Sequence, residues 1–376
     1  MSARAAGSTS SRCWREPRSE WYHSSRDCVG AVPVTQLLPE TDAPPRRRIV
    51  LLRVNIIVIY LTIALEAEGV ASTRYTTVGL FVLLAAIWGL SFVAARAALA
   101  DVSPVLLAAL RFDIAALLLF GYAAVTTTRL VPANRREWST VAIGGFLFIA
   151  LHHALLFAGQ QYVTSAVAAV VICLDPILAA GFARVLLPQE RLSWVGGVGL
   201  LLGVVGVGII ARPSPDAALR ADVVGVVLVF LAAAAFALGA VVTRRARTGT
   251  DFPAQSMQAW MMLIGAVMLH AGAIVLPGEE FVAITWSWSV VAGLGYLAVI
   301  AAGVGYFLYF ELLERLGAIE INLVAYVTPI FAAIGGWLAL GEQLQAQVVA
   351  GFGVILVGFV LVKRQALRAE LDKYRA

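Results

Sequence analysis

The sequence predicts an all-α polytopic membrane protein whose ten transmembrane helices form two inverted five-helix repeats, and three observations predict it. First, 60% of the 376 residues are hydrophobic and 14% are charged, far from the roughly 45–50% apolar and 25% charged of soluble domains. Second, weakly charged apolar runs recur, each about 18 to 25 residues long, and a hydrocarbon core of about 30 Å needs about 20 helical residues. Third, the chain reads twice. LDPILAAGFARVLLPQERLSWVGGVGLLLGVVGVGIIAR closes the first half and YVTPIFAAIGGWLALGEQLQAQVVAGFGVILVGFVLVKR the second. Pro176 matches Pro329 with the same Ile and Ala-Ala behind it, and QERL at 189–192 answers GEQL at 341–344 after a one-residue slip. Upstream, AAIWGLSFVAARAA from Ala85 pairs with AAAFALGAVVTRRA from Ala233, setting Trp88 against Phe236 and Arg96 against Arg244. An odd number of crossings per unit sends the second unit in from the opposite face, the architecture of alternating-access carriers.

The predicted spans are 76–98, 104–125, 140–160, 165–187 and 194–210 in the first unit. Those of the second are 223–243, 255–276, 287–310, 320–340 and 347–362. The repeats then occupy 76–212 and 222–363, followed by a basic tail at 364–376. Short loops with turn signals, RPSPD at 212–216 and PGEE at 277–280, join the spans. If the first span starts inside, the inner segments hold fifteen Lys and Arg: Arg74, Arg129, Arg135, Arg136, Arg184, Arg191, Arg244, Arg245, Arg247, Arg315, Lys363, Arg364, Arg368, Lys373 and Arg375. The outer segments hold only Arg96, Arg212 and Arg220. The charge rule therefore places both ends of the ten-helix unit in the cytoplasm and the protein in the inner or plasma membrane. The net charge of +5 resides between spans, so it indicates no nucleic-acid partner.

Residues 1–75 fit this scheme poorly, being polar up to PPRRR and then apolar from 49 to 65. An eleventh span would leave Arg46, Arg47 and Arg48 outside and carry Arg53 and Asn55 into the bilayer. A signal peptide would have its basic region unusually far from Met1. The preferred reading is a translation start nearer Val70, with an interfacial or spanning helix as the alternative.

With the repeated Pro and Glu motifs in view, residues 78–364 resemble the EamA family of the drug/metabolite transporter superfamily. WGLSFVAARAAL, LAALRF at 107–112 and LLERLGAIEINLVAYVTPIFAAIGGWLALGEQL carry the resemblance. It implies ten helices in two inverted repeats and export of amino acids or other small metabolites, with the small-molecule substrate and the bilayer as partners.

Several side chains are candidates for substrate binding or coupling. Pro176 and Pro329 lie mid-span, where each removes an N–H and frees a carbonyl, at Ile172 and Ala325, that a neighbour, water or substrate must satisfy. Asp175 precedes Pro176, and its counterpart in the second unit is Thr328. A carboxylate at this depth costs at least about 2.5 kcal/mol, so it should face a cavity, pair with a cation or carry a proton. Arg111, His152 and His153 are its candidate partners, an Arg111–Asp175 ion pair among them. The two histidines point about 100° apart, so at most one readily faces a central cavity. Asp113, two residues beyond Arg111, points to another helix face. Trp88, Ser91, Tyr306 and Tyr326 offer stacking faces and hydroxyls to a cavity lined by the first, third and fourth helices of each unit. Glu190 and Glu342, ending matched helices at the membrane edge, are gating candidates.

Gly199, Gly203, Gly206 and Gly208, answered by Gly351, Gly353 and Gly358, form ridges suited to close helix packing or an oligomer contact. GLGYLA at 293–298 lacks a strand-turn-helix context for a dinucleotide, and neither a Walker A loop, an HExxH helix nor a serine elbow occurs. The three cysteines have neither paired nor metal-binding spacing. No cofactor, metal or enzymatic chemistry is expected. Two rival readings remain: an intramembrane enzyme using Asp175 with a histidine, and a non-transporting assembly or sensor protein.

Overall fold

The computed structural model describes residues 72–187, 193–212, 221–247, 250–278 and 284–373. The apolar stretch 49–65 and Glu190 lie outside the described residues. Within the described residues, nine helices are long and apolar enough to cross a membrane, and a tenth apolar helix, Val324–Leu340, is shorter. In chain order, α1 is Ser72–Ala98, α2 is Pro104–Thr126 and α3 is Arg135–Gln160. Two pieces, Ser165–Ile172 and Asp175–Leu186, make α4, and α5 is Trp194–Ala211. The second unit has α6 at Ala221–Arg247 and α7 at Ala254–Val275. Its α8 runs through Trp288–Gly295, Tyr296–Val304 and Gly305–Leu316. Ala318–Ile321 and Val324–Leu340 form α9, and α10 is Ala346–Lys373.

Local chemistry explains the helix ends. Pro104 sits in the first turn of α2, where its missing N–H has no intrahelical partner to lose. Thr164, Ser193 and Ser287 accept from the amides of Val167, Gly196 and Val290, capping α4, α5 and α8. Asn134 likewise accepts from Glu137, which starts α3 five residues before the predicted position 140. Arg244, Arg245 and Arg247 prolong α6 past 243, where cations complement the helix dipole.

The predicted continuous spans 165–187 and 320–340 are both interrupted. In α4 the helix turns at Cys173 and Leu174 and restarts at Asp175, with Pro176 in the first turn of the new piece. Pro176 thus begins a helix and does not kink one. In α9 the break falls at Asn322 and Leu323, and Pro329 lies inside the following piece. The third helix of each repeat holds a wide π-helical stretch, Gly145–Leu151 in α3 and Tyr296–Val304 in α8. Such turns are rare and concentrate at functional sites.

Packing follows the inverted repeat. The helix pairs α2–α7 and α5–α10 join equivalent members of the two units, whereas α1 packs chiefly on α8 and α9, and α6 on α3 and α4. The first helix of each repeat is therefore exchanged onto the other. In lipid, small residues allow this close approach. A Cβ on Gly199 would stand 2.5 Å from the Gly358 carbonyl, and one on Gly206 would stand 2.8 Å from that of Gly351. The two glycine ridges engage each other within the chain, while Gly197, Gly208 and Gly353 face open space.

Candidate functional site

The sequence candidates separate into distinct clusters. At the break in α4, the Cys173 thiol donates to the Ala325 carbonyl at 3.0 Å, and to Ala169 in its own helix at 3.3 Å. Ala325 is the acceptor that Pro329 leaves without its intrahelical amide, so a side chain of the other repeat satisfies it. Cys173 and Tyr326 occupy matched positions three residues before the two prolines. Beside this junction, Asp175 Oδ1 and the Tyr326 hydroxyl are buried without hydrogen-bond partners, and Tyr326 lies close to both Cys173 and Asp175. The Tyr326 ring packs on Phe359 at 4.3 Å. Thr328, the counterpart of Asp175, is buried and donates to the Val324 carbonyl of its own helix. The hydroxyl proton is thus committed to backbone, while the oxygen keeps its capacity to accept.

The expected Arg111–Asp175 ion pair does not form. Arg111 belongs to a second cluster, in which Tyr306, His152 and His153 lie within range of its charge. His152 Nδ1 lies 2.9 Å from the Ala232 carbonyl of α6, to which it can only donate, and the ring packs on Phe236. His153 turns instead to Ile149 and the ring of Phe112. The two histidines face different helices, as their spacing requires, yet both are buried and meet edge to face at 4.5 Å. Tyr306 is hydrogen-bonded to Gln258 of α7. Asp113 pairs with His270 of α7 at 2.7 Å, away from Arg111.

Trp88 packs against Tyr309, tilted at 5.6 Å, and edge-on to Tyr306 at 6.2 Å, and it donates to the Ala301 carbonyl in the π-stretch of α8 at 3.3 Å. Gly305 gives the indole room, since a Cβ there would stand 2.7 Å from Nε1. The Ser91 hydroxyl donates to the Trp88 carbonyl one turn back.

Glu342 crosses between the repeats. Gly341, in the left-handed region at φ +67, ends α9 and lets the Glu342 amide bond the Gly336 carbonyl. The side chain then folds over Gly336 and accepts from the Ser165 amide at 3.0 Å and its hydroxyl at 3.2 Å, capping α4. Gln160 and Ser165 both donate to the Phe92 carbonyl, which ties α1 and α3 to the same place. An alanine at 336 would set its Cβ against Glu342 Oε2. Gly336→Ala should therefore displace the carboxylate and remove a cap of about 0.5–2 kcal/mol. In thermal unfolding in detergent, Gly336→Ala and Glu342→Ala should each lower Tm while the double variant loses little more; additive losses would show the contacts to be independent.

Two cavities lie near these clusters. One of about 620 Å³ lies among residues 99–104, Ala158, Gln161, Pro277, Gly278, Ile284 and Thr285, at the helix ends after α1, α3 and α7. The other, about 100 Å³, is lined by α2, α7 and α8, including Ala115, Leu118, Met262 and Tyr306. The predicted lining by first, third and fourth helices holds for neither of these two. Periodicity could not show this, because it places residues on a face without naming the opposing helix.

Sequence reasoning missed Cys173, Gln160, Ser165 and Gln258, whose only sequence signal is a polar or thiol group inside an apolar run. It also missed Glu137, buried and bound by Arg129 at 2.8 Å, the Ala133 amide at 2.7 Å and Thr250 of the other repeat at 2.8 Å.

The profile of the EamA-like transporter family matches residues 75–212 and again 223–364. An uncharacterized transporter of Archaeoglobus fulgidus is 26% identical over 74% of this chain and 95% of its own length. A chloroplastic WAT1-related protein of Arabidopsis thaliana is 28% identical over 73% of this chain and 66% of its own. A crystal structure with 19% identity superposes over 78% of this chain and 99% of that one with a TM-score of 0.52, a likeness of fold. A duplicated profile match over most of the chain, on a bundle of membrane-spanning helices, places this multi-pass membrane protein in the EamA-like transporter family.

Proposed function

We propose that the chain is a secondary carrier that exports a small metabolite, such as an amino acid, by alternating access, with proton uptake and release at Asp175 as the coupling step. The observation that carries this reading is the junction of Cys173, Ala325, Asp175 and Tyr326. Interrupted helices from two inverted repeats meet there beside a carboxyl that has no cation. Broken helices at a repeat interface are where carriers of this architecture bind substrate and coupling ion. A carboxyl at that depth without a counter-charge is tolerated when neutral and strongly disfavoured when charged, so its proton can follow the face to which it opens. The Glu342 cap on α4, with Gln160 and Ser165 on Phe92, serves as the closure at one face. The charge rule makes that face external and the arginine-rich face cytoplasmic.

The test is flux of candidate amino acids in liposomes holding the purified full-length chain, with and without a pH gradient. The reading expects the substrate to cross unchanged and its accumulation to follow the gradient. Accumulation indifferent to pH would remove the proton from the mechanism, and a chemically altered product would indicate an enzyme.

A further inference from the structure

Arg111 is a permanent cation deep in the bundle, and among the described residues no carboxylate pairs with it. It lies seven residues into α2, about 10 Å from the helix start. Its Nε is buried without a hydrogen-bond partner, and the residue as a whole is only partly buried. Asp175 can relieve its isolation by taking a proton. The Arg111 guanidinium carbon lies 5.1 Å from the Phe112 ring centroid, a cation–π contact that leaves the positive charge without a counter-ion. A guanidinium cannot lose that charge in a protein, so it calls for an anion from outside the chain.

The surroundings describe that anion. His152, His153 and Tyr306 lie within range of the guanidinium charge and carry no negative charge of their own as neutral groups. One turn along the same face of α2, Ala115 opens the 100 Å³ cavity, which Tyr306 also lines. Its other walls are mainly apolar: Leu118, Leu119, Met262, Ala302 and Phe307. The space is well below the roughly 300–1,000 Å³ of pockets that take drug-sized ligands, so it suits a short tail.

We infer that Arg111 and this cavity recognise a small carboxylate bearing a short apolar tail, with the guanidinium fork on the carboxylate and the tail between α2, α7 and α8. The inference rests on the carrier reading for its substrate but concerns binding, which can be measured without transport.

The full-length chain in a maltoside detergent, which supplies no anionic headgroup, would be titrated with L-valine, isovalerate, valinamide, isobutylamine, glycine and sodium chloride while thermal unfolding is followed. Valine and isovalerate should raise Tm in a saturable way, and valinamide and isobutylamine should not. Arg111→Gln should weaken valine binding about 100-fold or more, and Arg111→Lys, which keeps the charge but loses the fork, about tenfold. Because Arg111→Gln removes an uncompensated buried charge, the ligand-free variant should unfold no earlier than the native chain. Ala115→Leu, which fills the cavity, should lower affinity for valine more than for glycine. Equal stabilisation by chloride, by the amide or by the amine would overturn the inference, as would unchanged valine binding in Arg111→Gln. Counterflow in liposomes separates the two claims. Binding with this selectivity but without flux would sink the carrier reading alone, whereas flux that neither carboxylates nor Arg111→Gln alter would sink the inference alone.

Discussion

Replacing Asp175 with asparagine should abolish pH-driven accumulation while leaving substrate exchange intact. Asparagine fills nearly the same volume, so the break at Cys173 and Leu174 and the first turn of the second piece of α4 should persist. It holds no titratable proton. One pH unit is worth about 1.4 kcal/mol for each proton, so a one-proton carrier facing a one-unit gradient concentrates its substrate about tenfold. The Asp175→Asn chain should reach a ratio of about one, although counterflow, which needs only reorientation of the loaded carrier, continues. Parallel accumulation and counterflow assays check this in the same liposomes. Accumulation that still tracks the gradient would remove Asp175 as the coupling group. Loss of counterflow as well, in a chain that still unfolds at the native temperature, would assign Asp175 to the moving or binding machinery instead.

The second large effect concerns stability at the α5–α10 contact. A methyl at Gly199 would stand 2.5 Å from the Gly358 carbonyl, and one at Gly358 would stand 2.6 Å from that of Gly199. Both obstacles are backbone, which cannot rotate aside, so relief requires the helices to separate. Gly199→Ala, Gly206→Ala, Gly351→Ala and Gly358→Ala should each destabilise by about 1–3 kcal/mol, the usual range for overpacking. Gly197, Gly208 and Gly353 lie on the same two helices, and a methyl on any of them would meet nothing within 4 Å. Alanine there should be neutral or stabilise by up to about 1 kcal/mol through helix propensity. Unfolding in mixed micelles measures the contrast. Equal effects in the two sets would mean that the ridges do not set the helix separation.

Much of this bundle is legible in the sequence because lipid imposes length and composition on every span. The ten apolar runs, the matched prolines and the glycine ridges all lie where the sequence reading places them. The breaks are less legible, because Asp-Pro reads equally well as a kink within a helix and as the first turn of a new one. No residue pattern announces the π-stretches in α3 and α8, since they are adjustments of backbone registration. At the candidate site, the sequence identifies the polar residues at depth but not their partners. Arg111 and Asp175 carry opposite charges in one repeat, and pairing is the natural expectation from composition. The fold instead gives Asp113 to His270 and leaves the other two apart, because helix order in space decides which faces meet. Glu342 reads as a gating candidate at the membrane edge, but its partner is not legible, because only the turn at Gly341 brings it over Gly336 to Ser165.

The exchange of α1 and α6 has a consequence for dividing the chain. A cut in the connection between α5 and α6 would separate the repeats in sequence but would leave each fragment without the helix that its own third and fourth spans embrace. In the intact bundle α6 covers α3 and α4, and α1 covers α8 and α9. Fragments made alone would therefore expose the Gly225 and Gly293 surfaces, where the neighbouring backbone otherwise approaches within about 3 Å of where a Cβ would stand. Fragments made together in one membrane could exchange those helices and complement each other. The duplication is thus an interlock, in which each repeat lends its first helix to the other.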